Sequence, residues 1–164
     1  MPSEQSSSVA SVPAHLHTVT PRLVVRDAAR AIDYYRAAFA AEEVGDRFTG
    51  PSGEVIHAEM RIGDSVIMLS DQTDDDAPAK SPQSVGDVVT AIMATYWDDV
   101  GAAWQRAVTA GAEVLYPLAD QFYGDRAGRL RDPFGQQWML SQRIQNVPAD
   151  EMARRAAAFF DESG

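Results

Sequence analysis

The amino-acid sequence resembles itself when it is shifted by 71 positions. Identical residues then coincide along the two halves: Asp27 with Asp98, Ala31 with Ala102, Glu42 with Glu113, and Met68-Leu69 with Met139-Leu140. An internal repeat constrains the architecture more than any local propensity, because both copies must bury the same kind of apolar face. The 164-residue chain is therefore expected to contain two copies of one supersecondary unit.

The order of predicted elements also agrees between the two halves. Each half begins with an extended run, residues 21–26 and 91–97, that ends at an aspartate able to cap a helix. In both halves of the chain, apolar residues at three- and four-residue spacing follow this aspartate. They are Ala28, Ile32, Tyr35 and Phe39 in the first half, and Val100, Ala103, Trp104, Ala107 and Val108 in the second. Both segments are predicted to be amphipathic helices, the second ending at Gly111.

Each half ends with a hairpin signal. Residues 55–62 and 65–70 flank the turn Gly63-Asp64, and residues 128–131 and 137–141 flank Asp132-Pro133-Phe134-Gly135. Both halves therefore predict the order β-α-β-β-β. The expected fold class is α+β, with two βαβββ modules and an additional C-terminal helix.

Composition along the chain predicts the domain boundaries. The Ser-rich start is typical of a disordered tail, the segment after the first module is polar and rich in breakers around Asp74–Asp76, and the last segment carries an apolar stripe with Phe159 and Phe160. The stripe is expected to pack on the body or on a second subunit. The predicted divisions are a tail (1–16), a first module (17–70), a linker (71–87), a second module (88–145) and a C-terminal helix (146–164).

Charge and cysteine content exclude several classes of function. The formal net charge is −10, so nucleic-acid and membrane-surface binding are not expected; the negative field would suit a cationic ligand, although acidity also serves solubility. Cysteine is absent, which excludes disulfides and thiolate chemistry. Residues 1–13 lack the pattern of a signal peptide, so a cytoplasmic protein is expected.

Three segments together resemble the vicinal oxygen chelate superfamily, and more narrowly its PhnB-like branch with glyoxalase and bleomycin-resistance relatives. They are TPRLVVRDAARAIDYYRAAFAAEEV, HAEMRIGDSVIMLSD and PLADQFYGDRAGRLRDPFGQQWML. The resemblance implies paired βαβββ modules with eight strands around a cleft that binds a small molecule, assembled as a homodimer. Because one fold hosts many chemistries, the function has to be argued from the site.

The resemblance also implies where a divalent metal ion would be held. Superfamily enzymes use His and carboxylate side chains from the first and last strands of each module, and these positions correspond here to Thr20, Met68, Ile92 (or Ala91) and Met139. None of these residues is His, Asp or Glu. A thioether is a soft ligand and an aliphatic chain has no lone pair, so no metal ion and no other cofactor is expected at this position.

Further polar residues are candidates for a site. His57 and Glu59 leave the same face of a strand and are interpreted either as an acid–base pair or displaced metal site, or as part of a solvated strand with a cross-strand ion pair. Arg22 is expected to face the cleft near Thr20 and to pair with a carboxylate of the protein or of a ligand. His15 and His17 are expected to have no role, although they could fold back toward the cleft.

The loop from Gln121 to Arg126 is predicted to lie at the rim of the cleft, as it does in the relatives that the sequence resembles. Phe122 and Tyr123 are candidate stacking residues, whereas Arg126 either anchors a ligand or, with Asp125, stabilises the loop. Gln137 alternates with Met139 on the last strand and is a candidate hydrogen-bonding residue.

The sequence is compatible with three functions. The preferred hypothesis is a small-molecule-binding protein without the usual metal centre, sequestering an antibiotic or a metabolite in a mostly apolar pocket. The alternative is a glyoxalase- or dioxygenase-like lyase or isomerase with a displaced site at His57 and Glu59. A homodimeric structural or regulatory protein with a vestigial cleft is the third.

Overall fold

The fold is described from a computed structural model, which describes residues 9–73 and 78–162. The first eight residues of the predicted tail and the acidic run at Asp74–Asp76 in the predicted linker lie outside the described residues.

The first module contains one helix and a five-stranded sheet, here called sheet 1. Its elements are β1 (Arg22–Val25), α1 (Ala28–Phe39), β2 (Glu42–Glu43), β3 (Phe48–Thr49), β4 (Val55–Ile62) and β5 (Ser65–Asp71). The strand order is β1-β5-β4-β2, and β3 also pairs with β4. The pair β1–β5 is parallel and the others are antiparallel, so sheet 1 is mixed.

The second module repeats this arrangement in a four-stranded sheet, sheet 2. Its elements are β6 (Met93–Tyr96), α2 (Val100–Thr109), β7 (Glu113–Asp120), β8 (Asp125–Arg131) and β9 (Gln137–Arg143), preceded by a 3₁₀ turn (Pro82–Val85) and followed by α3 (Ala149–Glu162). The order is β6-β9-β8-β7, with a parallel pair β6–β9. Because β1 and β6 begin 71 residues apart, the fold class predicted from the internal repeat is confirmed.

Aspartates begin both module helices in the same way. The Asp27 carboxylate accepts a hydrogen bond from the Arg30 amide at 3.1 Å, and the Asp99 carboxylate accepts one from the Ala102 amide at 2.9 Å. Each contact satisfies a backbone donor that has no partner within the helix, which typically contributes about 1 kcal/mol. In the second half the capping residue is therefore Asp99, one position after the Asp98 that coincides with Asp27 in the repeat.

The two helices lie between the two sheets. Helix α1 packs against α2, and the predicted face of α1, with Ile32, Tyr35 and Phe39, is at most 2% exposed. The Phe39 ring lies 4.7 Å from the Trp138 ring of β9, so α1 also contacts the inner face of sheet 2. Since the inner face of each sheet is covered by this shared helix layer, the outer faces of the two sheets point in opposite directions.

Asp132 joins the two modules at the centre of this core. Its buried carboxylate accepts hydrogen bonds from the Tyr35 hydroxyl of α1 at 2.7 Å and the Trp138 indole at 2.9 Å, and from the amides of Phe134 and Gln136 at 2.9 Å each. Burial raises the pKa of the Asp132 carboxyl, against the opposing effect of these donors. The predicted turn at residues 132–135 is thus also an inter-module contact.

The C-terminal helix α3 packs on the loop before β8. Arg155 donates hydrogen bonds to the Phe122 carbonyl at 3.4 Å and to the Gln145 side chain at 3.0 Å, and the Phe159 and Phe122 rings lie 5.1 Å apart. The predicted helix is present, although Phe159 and Phe160 remain 48% and 67% exposed. Within the described ranges, no helix has the length and apolar character needed to span a membrane.

Candidate functional site

The outer face of sheet 2 carries two adjoining cavities. Alternation along β9 places Gln137 and Met139 on this face, whereas Trp138 and Leu140 between them are buried in the core. In the antiparallel ladder Arg129 of β8 lies opposite Met139, and Tyr116 of β7 lies opposite Arg129. Three neighbouring strands therefore present a ring, a guanidinium group and a thioether in one row.

Two cavities meet at Arg129. The first has a volume of about 180 Å³ and is lined by Tyr116, Gln121, Tyr123, Ala127, Gly128, Arg129 and Met139. The second has a volume of about 450 Å³ and is lined by residues 87–92 together with Arg129 and Gln137. The first cavity is more apolar than polar, as is typical of pockets that hold small organic molecules, whereas the second cavity has a more polar lining.

Arg129 differs from the other arginines of sheet 2. Arg126, Arg131 and Arg143 are ion-paired with Asp120, Glu113 and Asp125, respectively. Across the part of the chain that the structure describes, no carboxylate pairs with Arg129. Its buried Nε has no hydrogen-bond partner, a property that the Nε of Arg131 shares, so the missing carboxylate is what sets Arg129 apart. The guanidinium carbon lies 5.0 Å from the centroid of the Tyr116 ring, a cation–π distance.

The loop at residues 121–124 forms one wall of the first cavity. The Gln121 amide donates to the Asp125 carbonyl at 2.7 Å, and the Gln121 side chain donates to the Ala127 carbonyl at 3.3 Å. Gly124 has a φ of 95°, and a side chain there would collide with the Gln145 carbonyl. Burial, together with the charge of Asp125, raises the pKa of the Tyr123 phenol, so this hydroxyl stays protonated at neutral pH and can donate a hydrogen bond.

The neighbouring Asp125 and Arg126 have partners other than each other. Asp125 is 2% exposed and accepts hydrogen bonds from the Tyr96 hydroxyl at 2.8 Å and from the Arg143 guanidinium. Arg126 is exposed and pairs with Asp120 at 2.6 Å. These contacts join the ends of β7 and β8 and attach β8 to β6. Phe122 packs on Tyr123 and Phe159, with ring centroids 5.3 Å and 5.1 Å away.

The outer face of sheet 1 carries the other group of predicted residues. Met68 of β5 lies between Arg22 of β1 and Glu59 of β4 in the hydrogen-bonded ladder. The Glu59 carboxylate contacts Nε2 of His15 at 2.7 Å and Nε2 of His57 at 3.3 Å. The segment before β1 therefore folds back onto sheet 1 through His15, as the sequence allowed, and the expectation that His15 has no functional role stays a prediction.

Arg22 and Thr20 make weaker contacts on sheet 1. Arg22 is exposed and donates to the Ser70 hydroxyl at 3.4 Å and to the Ile56 carbonyl at 3.5 Å. Among the described residues Arg22 has no ion pair, so the intramolecular carboxylate considered for it is not observed. Thr20 donates to the His17 carbonyl at 3.4 Å.

The structure thus places most of the predicted site residues on the outer faces of two different sheets, apart from Phe122, which packs on Phe159 of α3, and Arg126, which pairs with Asp120. Ile92, Tyr123, Gln137 and Met139 line the cavities of sheet 2, and Thr20, Arg22, His57, Glu59 and Met68 lie on sheet 1 or beside it. Sequence reasoning missed Arg129, Tyr116 and Gln121. Arg129 could have been found from the hairpin pairing, because it lies directly opposite the predicted Met139.

The residues at the implied metal positions do not fit a divalent metal ion. Met68 and Met139 have soft thioethers, Ile92 has no donor atom, and Thr20 supplies a single neutral hydroxyl. Within residues 9–73 and 78–162, no three His, Asp or Glu side chains form a group that could hold a metal ion. The donor set at these positions therefore supports binding of an organic molecule better than binding of a metal ion.

Known proteins with similar sequences and structures agree with this architecture. An uncharacterized protein of Mycobacterium tuberculosis is 46% identical over 136 residues, which cover 82% of this chain and 79% of that protein. The fosfomycin resistance protein FosX from Mesorhizobium loti is 16% identical, with a TM-score of 0.55 over 77% of this chain and 91% of FosX.

A PhnB protein from Bacillus cereus is 19% identical, with a TM-score of 0.54 over 77% of this chain and 99% of the PhnB chain. At such identities these two solved structures show the fold alone. The sequence model of the Glyoxalase/Bleomycin resistance protein/Dioxygenase superfamily matches residues 15–140, which is most of the chain. Together with the paired βαβββ modules, this match shows that the chain belongs to the Glyoxalase/Bleomycin resistance protein/Dioxygenase superfamily.

Proposed function

We propose that this protein binds and sequesters a small molecule, an antibiotic or a metabolite, in a cleft without the usual metal centre of its superfamily. The observation that carries the proposal is the outer face of sheet 2. There, cavities of about 180 and 450 Å³ adjoin Met139, which occupies one implied metal position, and Gln137. A concave, mostly apolar surface with a few polar groups suits ligand binding without chemistry.

The proposed working unit is a homodimer. The outer faces of the two sheets point away from each other within one chain, so a cleft lined by both sheets requires the outer face of sheet 1 from a second chain. Partly buried side chains on both faces, such as Met68 and Met139, would lose further apolar surface to water in that arrangement. Dimerisation of this kind places Arg22 and Glu59 of one chain near the cavities of the other.

Membership of the PhnB-like branch is part of the proposal. It is supported by the GDSVIML and YGDR…DPFG segments and by the similarity of the fold to the Bacillus cereus PhnB protein. The fosfomycin resistance protein FosX, which shares the fold, places antibiotics among the ligands to be tested. A cytoplasmic location is part of the same proposal.

Two measurements on the purified protein test this function. Elemental analysis after purification without chelator is expected to find less than about one tenth of a divalent ion per chain, since the four implied ligands are poor donors. Stoichiometric zinc, nickel, iron or manganese would overturn the metal-free proposal.

The second measurement is a thermal-shift screen with antibiotics, small carboxylic acids and dicarbonyl compounds. A ligand that binds only the folded state at about 100 times its Kd adds about 2.7 kcal/mol to the free energy of unfolding, which is a clear shift. At least one class is expected to raise the melting temperature. A complete absence of shifts would contradict sequestration and favour the structural role with a vestigial cleft.

One observation favours a second candidate function. The Glu59 carboxylate contacts both His15 and His57, and an imidazole beside a carboxylate can act as a general base. The test is turnover of dicarbonyl–thiol adducts by the wild-type protein and by His57→Gln, with Arg61→Gln on the same strand face as the control. Turnover that is lost in His57→Gln but not in Arg61→Gln would show that the protein is an enzyme with its active site on the outer face of sheet 1.

A further inference from the structure

We propose that the ligand of the sheet 2 face is an organic anion, a carboxylate on a planar or apolar body, and that Arg129 binds its oxygens. This inference rests on the proposed function and names the chemical class of its ligand. The overall charge of −10 suggests a cationic ligand instead. At contact distance, however, the charge of Arg129 acts on the ligand more strongly than the distant charges, which salt screens.

The first argument is the missing counter-ion of Arg129. A guanidinium group that is partly removed from water costs free energy unless hydrogen-bond acceptors replace the water. The other three arginines of sheet 2 each have a carboxylate, at 2.6 Å for Arg126 and 3.2 Å for Arg131, whereas Arg129 has none among the described residues. Its Nε is buried and unpartnered even though the chain contains 24 acidic residues. A bound oxyanion would supply the acceptors.

The second argument is the orientation of the guanidinium group. Tyr116 lies against Arg129 at 5.0 Å, which restricts the side chain and leaves its polar edge for another partner. A planar fork of N–H donors matches the two oxygens of a carboxylate, so the pairing can be bidentate. The group is thus held in place before any ligand arrives, which reduces the entropy that binding would cost.

The third argument is the lining of the first cavity, which contains no carboxylate. Beside Arg129 it presents the Tyr116 and Tyr123 side chains, the thioether of Met139 and the amide of Gln121. Tyr123, as a protonated phenol, can donate a second hydrogen bond to an anion. The second cavity includes Asp87 at its edge, so the anionic group belongs in the first cavity and the second one accepts a neutral extension.

The volumes set the size of the ligand. About 180 Å³ accommodates one substituted ring with its carboxylate, and the adjoining cavity of about 450 Å³ allows a longer apolar tail. The aromatic and thioether walls favour a flat ring over a flexible sugar or a polyphosphate.

The experiment compares three probes of one shape and different charge: benzoate, benzamide and benzamidine. Affinities are measured by titration while the ¹³C-methyl signals of the methionines are followed by NMR. Benzoate is expected to bind at least tenfold more tightly than benzamide, and benzamidine more weakly than either. The Met139 methyl signal is expected to shift with benzoate, while that of Met60, which is fully buried on the inner face of sheet 1, is not.

Variants of two arginines on β8 test which guanidinium group binds the carboxylate of benzoate. Arg129→Gln is expected to lower benzoate affinity at least tenfold and to remove the preference over benzamide. Arg131→Gln, which removes a guanidinium already paired with Glu113, is the matched control and is expected to retain both. If Arg129→Gln does not fold, the ratio of benzoate to benzamide affinity still shows whether the site prefers an anion, because this ratio is measured on the wild-type protein.

The possible results separate this inference from the proposed function. Equal binding of benzoate and benzamide, or preference for benzamidine, with a shift of the Met139 signal would overturn the anionic ligand and leave a binding cleft. Failure of benzoate to bind at millimolar concentration would also overturn it. If in addition Arg129→Gln weakens a dimer, the counter-ion of Arg129 is a carboxylate of a second chain. Failure of the whole thermal-shift screen would remove the proposed function itself.

Discussion

The outer face of sheet 1 and the outer face of sheet 2 are built on the same strand order, yet their charges are arranged differently. On sheet 1 the Glu59 carboxylate contacts two imidazoles, and Arg22 donates to neutral oxygens of its own sheet. On sheet 2 three arginines are paired and the fourth, Arg129, opens into two cavities without a counter-ion among the described residues. The same strand order thus carries one face on which a carboxylate contacts two imidazoles and another on which a guanidinium group borders two cavities.

Unlike the outer faces, which differ from each other, the inner faces of the two sheets contribute to one common structure. They share one core, in which aromatic side chains from both modules pack together and the Asp132 carboxylate accepts donors from α1 and from β9. Packing in such a core tolerates little change in volume, so the two modules have to match there. Divergence between the repeats is therefore expected on the outer faces and similarity on the inner ones.

The largest effect is expected from breaking the shared core. Asp132→Ala would leave the Tyr35 hydroxyl, the Trp138 indole and two backbone amides without their acceptor, and each unsatisfied buried donor costs about 1–3 kcal/mol. The free energy of unfolding should fall by about 3 kcal/mol or more, measured by urea denaturation.

Tyr35→Phe and Asp46→Asn complete this test. Tyr35→Phe removes one donor of the Asp132 cluster and should cost about 1 kcal/mol, whereas Asp46→Asn changes an exposed carboxyl and should have almost no effect. A loss below about 1 kcal/mol in Asp132→Ala would contradict the role of this residue as the joint between the modules.

The second effect concerns a place where the inner faces differ. Gly128 pairs with Leu140 in sheet 2, as Ala58 pairs with Leu69 in sheet 1. A Cβ on Gly128 would lie 2.5 Å from the Trp104 ring and 2.9 Å from the Leu118 Cα. Gly128→Ala should therefore lower the free energy of unfolding by about 1–3 kcal/mol through overpacking.

Ala58→Gly is the matched variant in sheet 1. It should cost about 0.5–1 kcal/mol through backbone entropy, with a small further loss of packing. Thermal denaturation of both variants checks the pair, and a Gly128→Ala protein as stable as the wild type would show that Trp104 can move away without cost.

A smaller effect is expected from the charged face of sheet 1. Glu59→Gln should weaken the contact that holds residues 13–20 against β4, because a neutral amide accepts more weakly from the His15 ring. The expected cost is about 1 kcal/mol or less, since the His15 side chain is 35% exposed. Hydrogen exchange and proteolysis of residues 13–20 should become faster.

Arg61→Gln is the control for this prediction. Arg61 is exposed on the same strand face and has no ion pair among the described residues, so its replacement should leave residues 13–20 protected. Equal protection in Glu59→Gln and the wild type would mean that the N-terminal segment is held by other contacts.

The smallest effect is expected at Glu43, beside β4. Hydrogen bonding from Arg47, and the charges of Arg47 and Arg36, lower the pKa of the Glu43 carboxyl. Its contribution to stability is therefore fully present above the pKa of an unfolded glutamate, about 4.3, and is lost as the pH falls from there through the lower pKa of the folded state. Glu43→Gln should cost about 0.5 kcal/mol at pH 7 and less at pH 3.

Glu113 of sheet 2 supplies the comparison for Glu43. Glu113 pairs with Arg131 at 3.2 Å, but its side chain is 61% exposed, so Glu113→Gln should have a negligible effect at both pH values. Denaturation of the two variants at pH 7 and pH 3 checks this, and a pH-independent cost of Glu43→Gln would show that packing, not charge, is lost.

Local patterns in the amino-acid sequence were enough to predict the repeated βαβββ order, the helix faces and the turn at residues 132–135, because all of these follow from periodicity, capping and turn chemistry. The same patterns predicted which side chains share a strand face: Gln137 with Met139, and His57 with Glu59. Such alternation is a property of the extended backbone and needs no partner strand.

Long-range packing was needed to establish that the two sets of candidate residues lie on opposite sides of one chain, that His15 reaches Glu59, and that Arg129 lacks a counter-ion among the described residues. Asp125 and Arg126 illustrate the reason, since these neighbours in sequence pair with Arg143 and Asp120 instead of each other. The partner of a charged side chain depends on which strands the fold brings together over long sequence separations, and local patterns carry no information about that choice.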